Sequence, residues 1–423
     1  MSATDHYRVL AGLGDRESVS LADHRTRFPV PPKPSTAADS GLIDAVEQSG
    51  LRGRGGAGFP TGRKMRTVAS GKGQPVVVAN VSEGEPASAK DKTIAVRLPH
   101  LLLDGTIHAM RAVGAGEAIV VLERGARRSI ASVEEAIEAR VQAAEQMPPV
   151  KVHLVPDRFV AGEESAIVNH LNTGLAKPYT TPPRVFEKGV AGQPTLVDNA
   201  ETLAHIALIA TQGPNWFREV GIADSPGTML LTLSGAIARS QVTEVPTGTS
   251  LASVIEAAEP IDGVQAVLLG GYYGSWLRGD VAAHVTLDND DLRPHHASVG
   301  CGALVVLPRA ACGLRESARV MSWMAAESAG QCGPCVNGIQ AMADALAHLA
   351  IGRGTADTVS KLHRWAAMVD GRGACRFPDG AVKFLRSTLD VFAGEIDRHL
   401  TGQSCQESER VLAIPDVSGK GWK

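Results

Sequence analysis

The stretch GLRGRGGAGFPTGRK, residues Gly50–Lys64, is the part of the chain that decides how the rest is interpreted. It contains six glycines, three arginines, one lysine and a single aromatic residue, Phe59. Glycines at this density let the backbone approach a flat or phosphorylated ligand closely and adopt positive φ angles, and basic side chains suit phosphate. The alternative is a flexible linker, but linkers favour Ser with Gly and rarely combine Arg with a lone Phe and a Pro.

The composition is that of an ordinary globular chain. Its 423 residues, 44% of them hydrophobic, suffice for two or three domains with proper cores. A net charge of −3 gives no reason to expect nucleic acid as a partner. No apolar run approaches the ~18 residues of a membrane helix, and the N-terminus has no leader-like pattern, so a cytoplasmic protein without membrane insertion is expected. Six cysteines are too few for a disulfide scaffold.

Short β-branched runs alternate with helical patterns in the first part of the chain. The predicted strands are Pro75–Asn80, Ala118–Leu122 and Val150–Val155. Leu101–Val113 is predicted to be a helix, and a further helix is expected to begin at Ser132, where Glu135 completes a capping box. Strands separated by helices predict an α/β fold with a Rossmann-like parallel sheet.

The pattern changes twice after this domain. Residues 226–290 predict a β-grasp-like (SLBB-like) insert, and the chain from residue 312 predicts a C-terminal helical bundle, with Ala381–Leu400 as one continuous helix. The predicted divisions are an irregular N-terminal arm on the surface (1–41), the α/β domain (42–225), the β-grasp-like domain (226–290), the helical domain (291–403) and a loosely held tail (404–423).

Three polar loops follow apolar segments and place carboxylates or amides beside glycine. The first, Asn80–Pro86, lies at the end of a predicted strand, which is the edge where open α/β sheets bind ligands. The others are Ala161–Ser165 and Thr195–Thr202. Each alone could be a solvated turn with a capping carboxylate, but with the glycine stretch they predict convergence on one large polar ligand that carries phosphate. The candidate side chains are Glu83, Glu85, Glu163, Glu164, Asp198, Asn199 and Thr202.

Three cysteines near the C-terminus form a second cluster. Cys332 and Cys335 make a Cys-x₂-Cys pair beside Gly and Pro, and Cys375 follows forty residues later. Three thiolates without a nearby histidine pair fit an iron–sulfur cluster better than zinc. A helix that begins after Cys335 would help to stabilise such an anionic site. Buried structural cysteines are the alternative.

Together these blocks resemble the NADH-binding flavoprotein (FMN/iron–sulfur) subunit of respiratory complex I and the related diaphorase subunits of NAD-linked hydrogenases and formate dehydrogenases. The resemblance covers about residues 42–400 and rests on GLRGRGGAGFPTG, the order of the polar loops, the Gly270–Gly271 turn and the CGPC motif. It implies FMN and an iron–sulfur cluster as cofactors, with NAD(H) or NADP(H) as the substrate.

The resemblance also implies a role for each block. Hydride transfer at FMN needs no protein acid or base, and Glu85 is the one candidate for a catalytic side chain. The residues expected around FMN are Gly53, Gly55, Lys64, Asn80, Glu83, Glu163, Asp198 and Asn199, with Arg54, Gly162 and Thr202 in the same cofactor-binding set. Those expected on the dinucleotide side are Gly56, Phe59, Glu85 and Glu164, with Phe59 stacking on an aromatic ring. The expected cluster ligands are Cys332, Cys335 and Cys375.

The sequence departs from the family pattern at three places. Ala329 stands where the family has a fourth cysteine, which leaves a 4Fe-4S cluster with a non-cysteine fourth ligand, a 3Fe-4S cluster, or a labile or absent one. Phe159 and Ser82 replace the usual Tyr and Asp of the flavin pocket. The usual Lys-Pro-Pro-Phe reads Thr181–Arg184, which removes a cation and a stacking aromatic and leaves NADH versus NADPH open.

The leading hypothesis is an electron-transfer subunit that oxidises NADH or NADPH through FMN. Single electrons then pass through the cluster to a ferredoxin-like or other iron–sulfur protein in a hetero-oligomer. A second hypothesis runs the electrons the other way, with ferredoxin reducing the flavin. A third is a degenerate scaffold subunit, which the altered cluster and nicotinamide pocket motivate and the intact glycine stretch argues against.

Overall fold

A computed structural model describes residues 6–33, 38–403, 405, 410–417 and 421–423. Its first domain is built on a parallel sheet with four strands, β1 (Val76–Asn80), β2 (Glu117–Glu123), β3 (Val150–Val155) and β4 (Thr195–Asn199). Their order is β3-β2-β1-β4, and Val78 of β1 lies opposite Ile119 and Val197. The strands β1, β2 and β4 are almost entirely buried, whereas β3, at the edge of the sheet, is mostly part-exposed. Within the described residues, no helix combines the length and apolarity that a membrane span requires.

The helices of this domain include those predicted, which begin within two residues of the expected start with one exception. They are α1 (Leu21–Arg25), α2 (Ser40–Ser49), α3 (Thr61–Ala69), α4 (Lys90–Arg97), α5 (Pro99–Val113), α6 (Arg127–Gln142), α7 (Glu164–Thr173), α8 (Ala200–Gln212) and α9 (Pro214–Phe217). The exception is α6, which begins at Arg127 and not at Ser132. The predicted capping box is wrong because the Ser132 hydroxyl, inside the helix, donates to the Val96 carbonyl at 3.0 Å.

The N-terminal arm is part of the core in its described residues, so the expectation of an irregular surface arm is wrong. Val9 and Leu10 are buried, and their N–H groups donate to the Glu244 carboxylate at 3.0 and 2.8 Å. The helix α1 follows, and the buried side chain of His24 contacts Asp104 at 2.7 Å.

The middle of the chain has the predicted β-grasp arrangement. After a short hairpin, β5 (Gly221–Ile222) and β6 (Ser225–Pro226), come β7 (Thr228–Gly235), β8 (Gln241–Pro246), α10 (Leu251–Ala257), β9 (Ala266–Leu269), β10 (Ser275–Arg278), α11 (Gly279–Ala282), α12 (Asn289–Leu292) and β11 (Ala303–Leu307). The sheet order is β10-β9-β11-β7-β8, with β11 parallel to β7 and the other pairs antiparallel. The central strand β11 lies beyond residue 290, so the sheet extends past the predicted boundary.

The C-terminal part is helical, as predicted. Its helices are α13 (Gly313–Glu327), a π-helical turn (Pro334–Ile339), α14 (Gln340–Ala350), α15 (Ala356–Val369), α16 (Phe377–Val391) and α17 (Ala393–Leu400). The single helix predicted over Ala381–Leu400 is interrupted, because the chain bends at buried Phe392, whose φ and ψ are −104° and 24°.

The tail is not loosely held in its described residues. The Leu412 N–H donates to Glu316 at 2.8 Å, and the Tyr272 hydroxyl donates to the Ala413 carbonyl at 2.5 Å. Farther on, the Ala176 N–H donates to the Trp422 carbonyl at 2.8 Å. The tail therefore returns across the helical and α/β domains.

Candidate cofactor site

The glycine stretch forms a loop between α2 and α3 whose backbone is fixed by hydrogen bonds. Gly50 ends α2 in the left-handed conformation, with φ 71°. The Gly53 N–H donates to the Phe59 carbonyl at 2.9 Å, and the Arg54 N–H donates to Thr202 Oγ1 at 2.9 Å. Because Thr202 lies in the first turn of α8, the loop is held at the carboxyl edge of the parallel sheet.

Packing within the protein does not require every glycine of this loop. A Cβ on Gly55 would come no closer than 3.9 Å to its nearest neighbour, Asn199, and one on Gly58 would meet nothing within 4 Å. Gly56 has a φ of 113°, a conformation that side chains disfavour. The space beside Gly55 thus fits a ligand lying against the backbone, as the resemblance implies for FMN.

Lys64 of α3 brings residues from three of the predicted segments together. Its Nζ donates to the Val197 carbonyl at 2.6 Å and to Asp198 Oδ1 at 3.2 Å, and lies 3.9 Å from Glu164 Oε2. Burial opposes the charge, but Asp198 and Glu164 outweigh it and raise the pKa of Lys64. The lysine is therefore a fixed cation beside the glycine loop.

Two buried oxygens at this edge of the sheet have no hydrogen-bond partner among the described residues, Asp198 Oδ2 and Ser82 Oγ. An unpaired buried polar atom costs about 1–3 kcal/mol, and native proteins leave few of them. The donors and acceptors of a polyhydroxylated ligand such as FMN would satisfy both. These residues therefore fit the cofactor that the sequence implies.

A buried network holds Asn199 and Thr202 in place. Asn199 Nδ2 donates to both Asp91 carboxylate oxygens at 2.9 and 3.0 Å, and Asn199 Oδ1 accepts from the Thr202 hydroxyl at 2.5 Å. Lys90 Nζ lies 2.9 Å from Asp91 and 3.0 Å from Glu201. Sequence reasoning missed Asp91, which lies inside a helix and belongs to no motif.

The loop after β1 mainly supports the site. Asn80 Nδ2 donates to the Gly162 carbonyl at 2.9 Å. The Glu83 carboxylate accepts from the N–H groups of Asp91 and Lys92 at 3.2 and 3.0 Å, so it caps the start of α4. The contact of Glu83 with FMN stays a prediction, whereas its observed hydrogen bonds are structural.

Glu85 joins the α/β domain to the β-grasp domain. Its Oε1 accepts from the Ala87 N–H at 3.1 Å and its Oε2 from the Tyr272 N–H at 2.9 Å. Gly271 makes this approach possible, because a Cβ there would lie 2.5 Å from the Glu85 carboxyl carbon. Burial raises the pKa of Glu85 to about 7. A carboxyl group that titrates near neutrality suits proton transfer, so Glu85 keeps its place as the candidate acid or base.

The three residues of Gly162–Glu164 have different structural roles. A Cβ on Gly162 would lie 2.8 Å from the Ser82 carbonyl oxygen, so this glycine allows two loops to pack. Glu163 Oε2 caps α7 by accepting from the Ser165 and Ala166 N–H groups at 2.9 and 3.1 Å. Glu164 is left with its side chain 35% exposed, facing Lys64.

The Arg54 side chain has an Nε without a hydrogen-bond partner among the described residues, so its contact with the cofactor stays a prediction. It is buried, and its guanidinium donates to the Pro226 carbonyl at 3.4 Å, which holds the glycine loop to the neighbouring hairpin. A cavity of about 260 Å³ separates this loop from the β-grasp domain, where Gly56 faces Gly300 and Cys301.

Phe59 keeps an accessible face, as its predicted stacking role requires. The residue is 39% exposed, and its ring stacks with that of Phe186 at 6.4 Å between centroids and 25° between planes. Phe186 follows the altered Thr181–Arg184 segment by two residues and supplies an aromatic ring near the position where that segment lacks one. The sequence motifs did not include Phe186, although the scarcity of phenylalanine in this chain is a signal that could have found it.

The three predicted cluster ligands come together in the helical domain. Burial, together with the nearby thiols of Cys332 and Cys375, raises the pKa of Cys335 to about 11, against a hydrogen bond with Ser328 that lowers it. Thiols close enough to shift one another's pKa have the arrangement expected of ligands to one cluster. Ala329 is buried at the position of the absent fourth cysteine.

Aromatic rings lie between the polar loops and the cysteine cluster. The Phe159 N–H donates to Glu327 Oε2 at 2.8 Å, at the end of α13. The Phe159 ring packs against those of Tyr273 and Phe377, with centroids 4.7 and 5.8 Å apart. Phe377 lies two residues after Cys375, so the polar loops and the cysteine cluster share one apolar wall.

Comparisons with known proteins agree with this arrangement. Residues 46–208 match the Nuo51 FMN-binding domain, and residues 315–399 match the NADH-ubiquinone oxidoreductase-F iron-sulfur binding region. The F 2 subunit of the NADH-quinone oxidoreductase of Rhizobium meliloti (strain 1021) is 32% identical, with 86% of this chain and 90% of the relative covered. NADP-reducing hydrogenase subunit HndC of Solidesulfovibrio fructosivorans is 28% identical, with 88% and 78% covered.

A solved structure shows the same fold. A chain in the crystal structure of an NAD⁺-reducing NiFe hydrogenase in the H₂-reduced state has a TM-score of 0.80 and 32% identity over 86% of this chain. This chain spans 64% of the length of that hydrogenase chain. Identity of 32% to the Rhizobium meliloti relative over most of both sequences establishes the relationship. The protein therefore belongs to the NADH-quinone oxidoreductase-F family.

Proposed function

We propose that the chain holds FMN on the Lys64 side of the glycine loop and takes hydride from NADH or NADPH. Electrons then pass singly through an iron–sulfur cluster to a ferredoxin-like or other iron–sulfur partner in a hetero-oligomer. The Asp198 carboxylate carries the proposal, because Lys64 holds one oxygen while the other is buried without a hydrogen-bond partner among the described residues. The names of the relatives, an NADH-quinone oxidoreductase and an NADP-reducing hydrogenase subunit, support this class of reaction.

FMN, when bound, accepts two electrons as a hydride and releases them one at a time. The chain supplies position and charge. Lys64, fixed by Asp198, offers a constant positive charge to the electron-rich ligand. Phe59 offers an exposed ring to a planar base, and the Arg63 guanidinium carbon lies 5.9 Å from that ring. Glu85 holds or releases a proton near pH 7 at the junction of the two domains.

For the cluster, we infer three cysteine ligands, Cys332, Cys335 and Cys375, and a fourth position without cysteine. The Ser328 side chain, next to Ala329, forms a hydrogen bond with Cys335 and is the nearest candidate for a non-cysteine ligand. If Ser328 does not bind iron, a 3Fe-4S cluster follows from the same residues. EPR of the oxidised protein separates these cases, since the three-iron form is paramagnetic when oxidised.

The test is anaerobic purification with flavin, iron and sulfide quantified, followed by reduction with NADH and with NADPH in a stopped-flow instrument. Asp198→Asn should weaken FMN binding about 10- to 100-fold, as expected for losing a hydrogen bond to a charged group. The exposed Asp280→Asn variant is the matched control and should bind FMN normally. Flavin-loaded protein that neither nicotinamide reduces would contradict the assigned donor. Rapid reduction by reduced ferredoxin would then favour the reverse direction, and protein without flavin or iron would favour the scaffold role.

A further inference from the structure

A second group of metal-ligating side chains lies in the helical domain, away from the predicted cluster. Cys312 at the start of α13, His399 in the last turn of α17 and Cys405 in the tail place one ligand atom each within 4.8 Å of one another. Cys312 and His399 are each 1% exposed, and Cys405 is partly buried. The sequence gives no sign of this convergence, because 93 residues separate the two cysteines.

The histidine is oriented as a metal ligand. Its Nδ1 lies 3.2 Å from the Leu349 carbonyl oxygen, which can only accept a hydrogen bond, so Nδ1 carries the proton. Its Nε2 therefore carries the lone pair, lies 3.7 Å from Cys312 Sγ and accepts from the Cys405 N–H at 3.1 Å, a hydrogen bond that metal binding would replace. A histidine that binds a metal through one ring nitrogen usually donates the N–H of the other to a carbonyl or carboxylate, as Nδ1 does here.

The spacing fits a tetrahedral ion. Zinc–sulfur and zinc–nitrogen bonds of usual length separate S and N ligands by about 3.6 Å in a tetrahedron, against 3.7 Å for Cys312 and His399. Glu395 lies beside this group but outside it: its Oε2 lies 3.3 Å from Cys312 Sγ and accepts from the Leu314 N–H at 2.9 Å, and its Oε1 accepts from Gln265 Nε2 at 2.6 Å. Glu395 is 4% exposed, and its donors are the neutral groups of Gln265, Cys312 and Leu314. A divalent cation would supply the compensating charge.

This group is independent of the predicted iron–sulfur site. Cys312 caps the first turn of α13, whereas Ser328, beside the cluster cysteines, follows its last turn. Fifteen helical residues lie between them, a length of about 22 Å at 1.5 Å per residue. One cluster or one ion cannot bridge both ends of this helix.

We propose that Cys312, His399 and Cys405 form a site for a zinc-class divalent cation, whose fourth position is filled by water or, after a small movement, by the Glu395 carboxylate. The ion would tie the beginning of the tail to α13 and α17. Downstream, the tail packs against Glu316 and Tyr272, so the ion would anchor a segment that covers the β-grasp and helical domains.

The test measures metal content of the full chain, purified anaerobically, with zinc and iron determined by mass spectrometry. We expect one zinc per chain in addition to the iron, and Co²⁺ exchanged into the site should give the thiolate-to-cobalt and d–d bands of a tetrahedral centre. His399→Gln and Cys405→Ser should each lose that ion while the iron content is unchanged. Cys301→Ser, which removes a thiol elsewhere, is the control and should keep it.

Circular dichroism and FMN content show whether each variant folds. If His399→Gln does not fold, Cys405→Ser still tests the proposal, because Cys405 is partly exposed and its substitution disturbs the core less. Wild-type protein that binds neither zinc nor cobalt beyond the amount in these variants would overturn the proposal. So would zinc that both variants retain, or a Cys312–Cys405 disulfide found in the anaerobic protein by peptide mapping.

Discussion

The substitution Lys64→Met removes the cation behind the glycine loop while keeping a side chain of similar length. In the wild type, Lys64 Nζ lies 3.2 Å from Asp198 Oδ1, and the two side chains are 15% and 4% exposed. Removing one partner of a buried ion pair costs about 3–5 kcal/mol, because the other charge is left without compensation. We expect the free energy of unfolding to fall by about that amount at pH 8.

The loss should become smaller as the pH falls. Burial already raises the pKa of Asp198 against the opposing effect of Lys64, so removing the lysine raises it further above the unfolded value. The folded variant then binds a proton that the unfolded chain has released, and its stability therefore falls as the pH rises through this window. Acidification thus restores part of the stability that Lys64→Met removes.

Urea unfolding of flavin-free protein, followed by circular dichroism at pH 8 and pH 5.5, measures both effects. Arg66→Met is the matched control, since it removes a cation from the same helix α3 whose partners Asp44 and Glu47 are exposed, and it should lose far less stability. The double variant Lys64→Met/Asp198→Asn should be more stable than the sum of the single losses predicts. A Lys64→Met protein as stable as the control at both pH values would refute the reasoning.

Three further substitutions test other parts of the structure. Gly105→Ala places a Cβ 2.0 Å from the Leu203 carbonyl oxygen, where α5 crosses α8, so it should lower the free energy of unfolding in urea by about 2–3 kcal/mol. The control Gly394→Ala, whose Cβ would meet nothing within 4 Å, should leave this free energy unchanged. Glu85 has a pKa of about 7 in the folded state, above its unfolded value, so the stability it contributes should fall by roughly 2 kcal/mol between pH 5.5 and 8. The loss of stability over this range should therefore be smaller in Glu85→Gln than in the wild type by about that amount, and equal losses in the two proteins would contradict the assignment. Ala329→Cys should raise the iron bound per chain towards four if the fourth position is open, whereas the exposed neighbour Ala326→Cys should leave iron analysis unchanged.

Much of the architecture follows from local signals. The buried runs at β1 and β2 are strands because β-branched residues suit a sheet covered on both faces, and β3 joins them as a partly exposed edge strand. The alternation of these strands with helices favours parallel pairing. The β-grasp domain was also predicted, but its central strand β11 was not assigned to it, since one apolar run cannot reveal which sheet it joins. The capping box at Ser132 failed because a tertiary acceptor, the Val96 carbonyl, took the hydroxyl.

By itself the sequence determined the classes of chemistry, because glycine loops, Cys-x₂-Cys spacing and carboxylates after strands act over a few residues. Only the tertiary structure decided what each side chain does there. It makes Glu83 and Glu163 helix caps, buries Arg54 against Pro226, and leaves an Asp198 oxygen without a partner among the described residues. It also brings Cys312, His399 and Cys405 together. These outcomes depend on how distant helices and loops pack, and residue spacing along the chain carries no record of that packing.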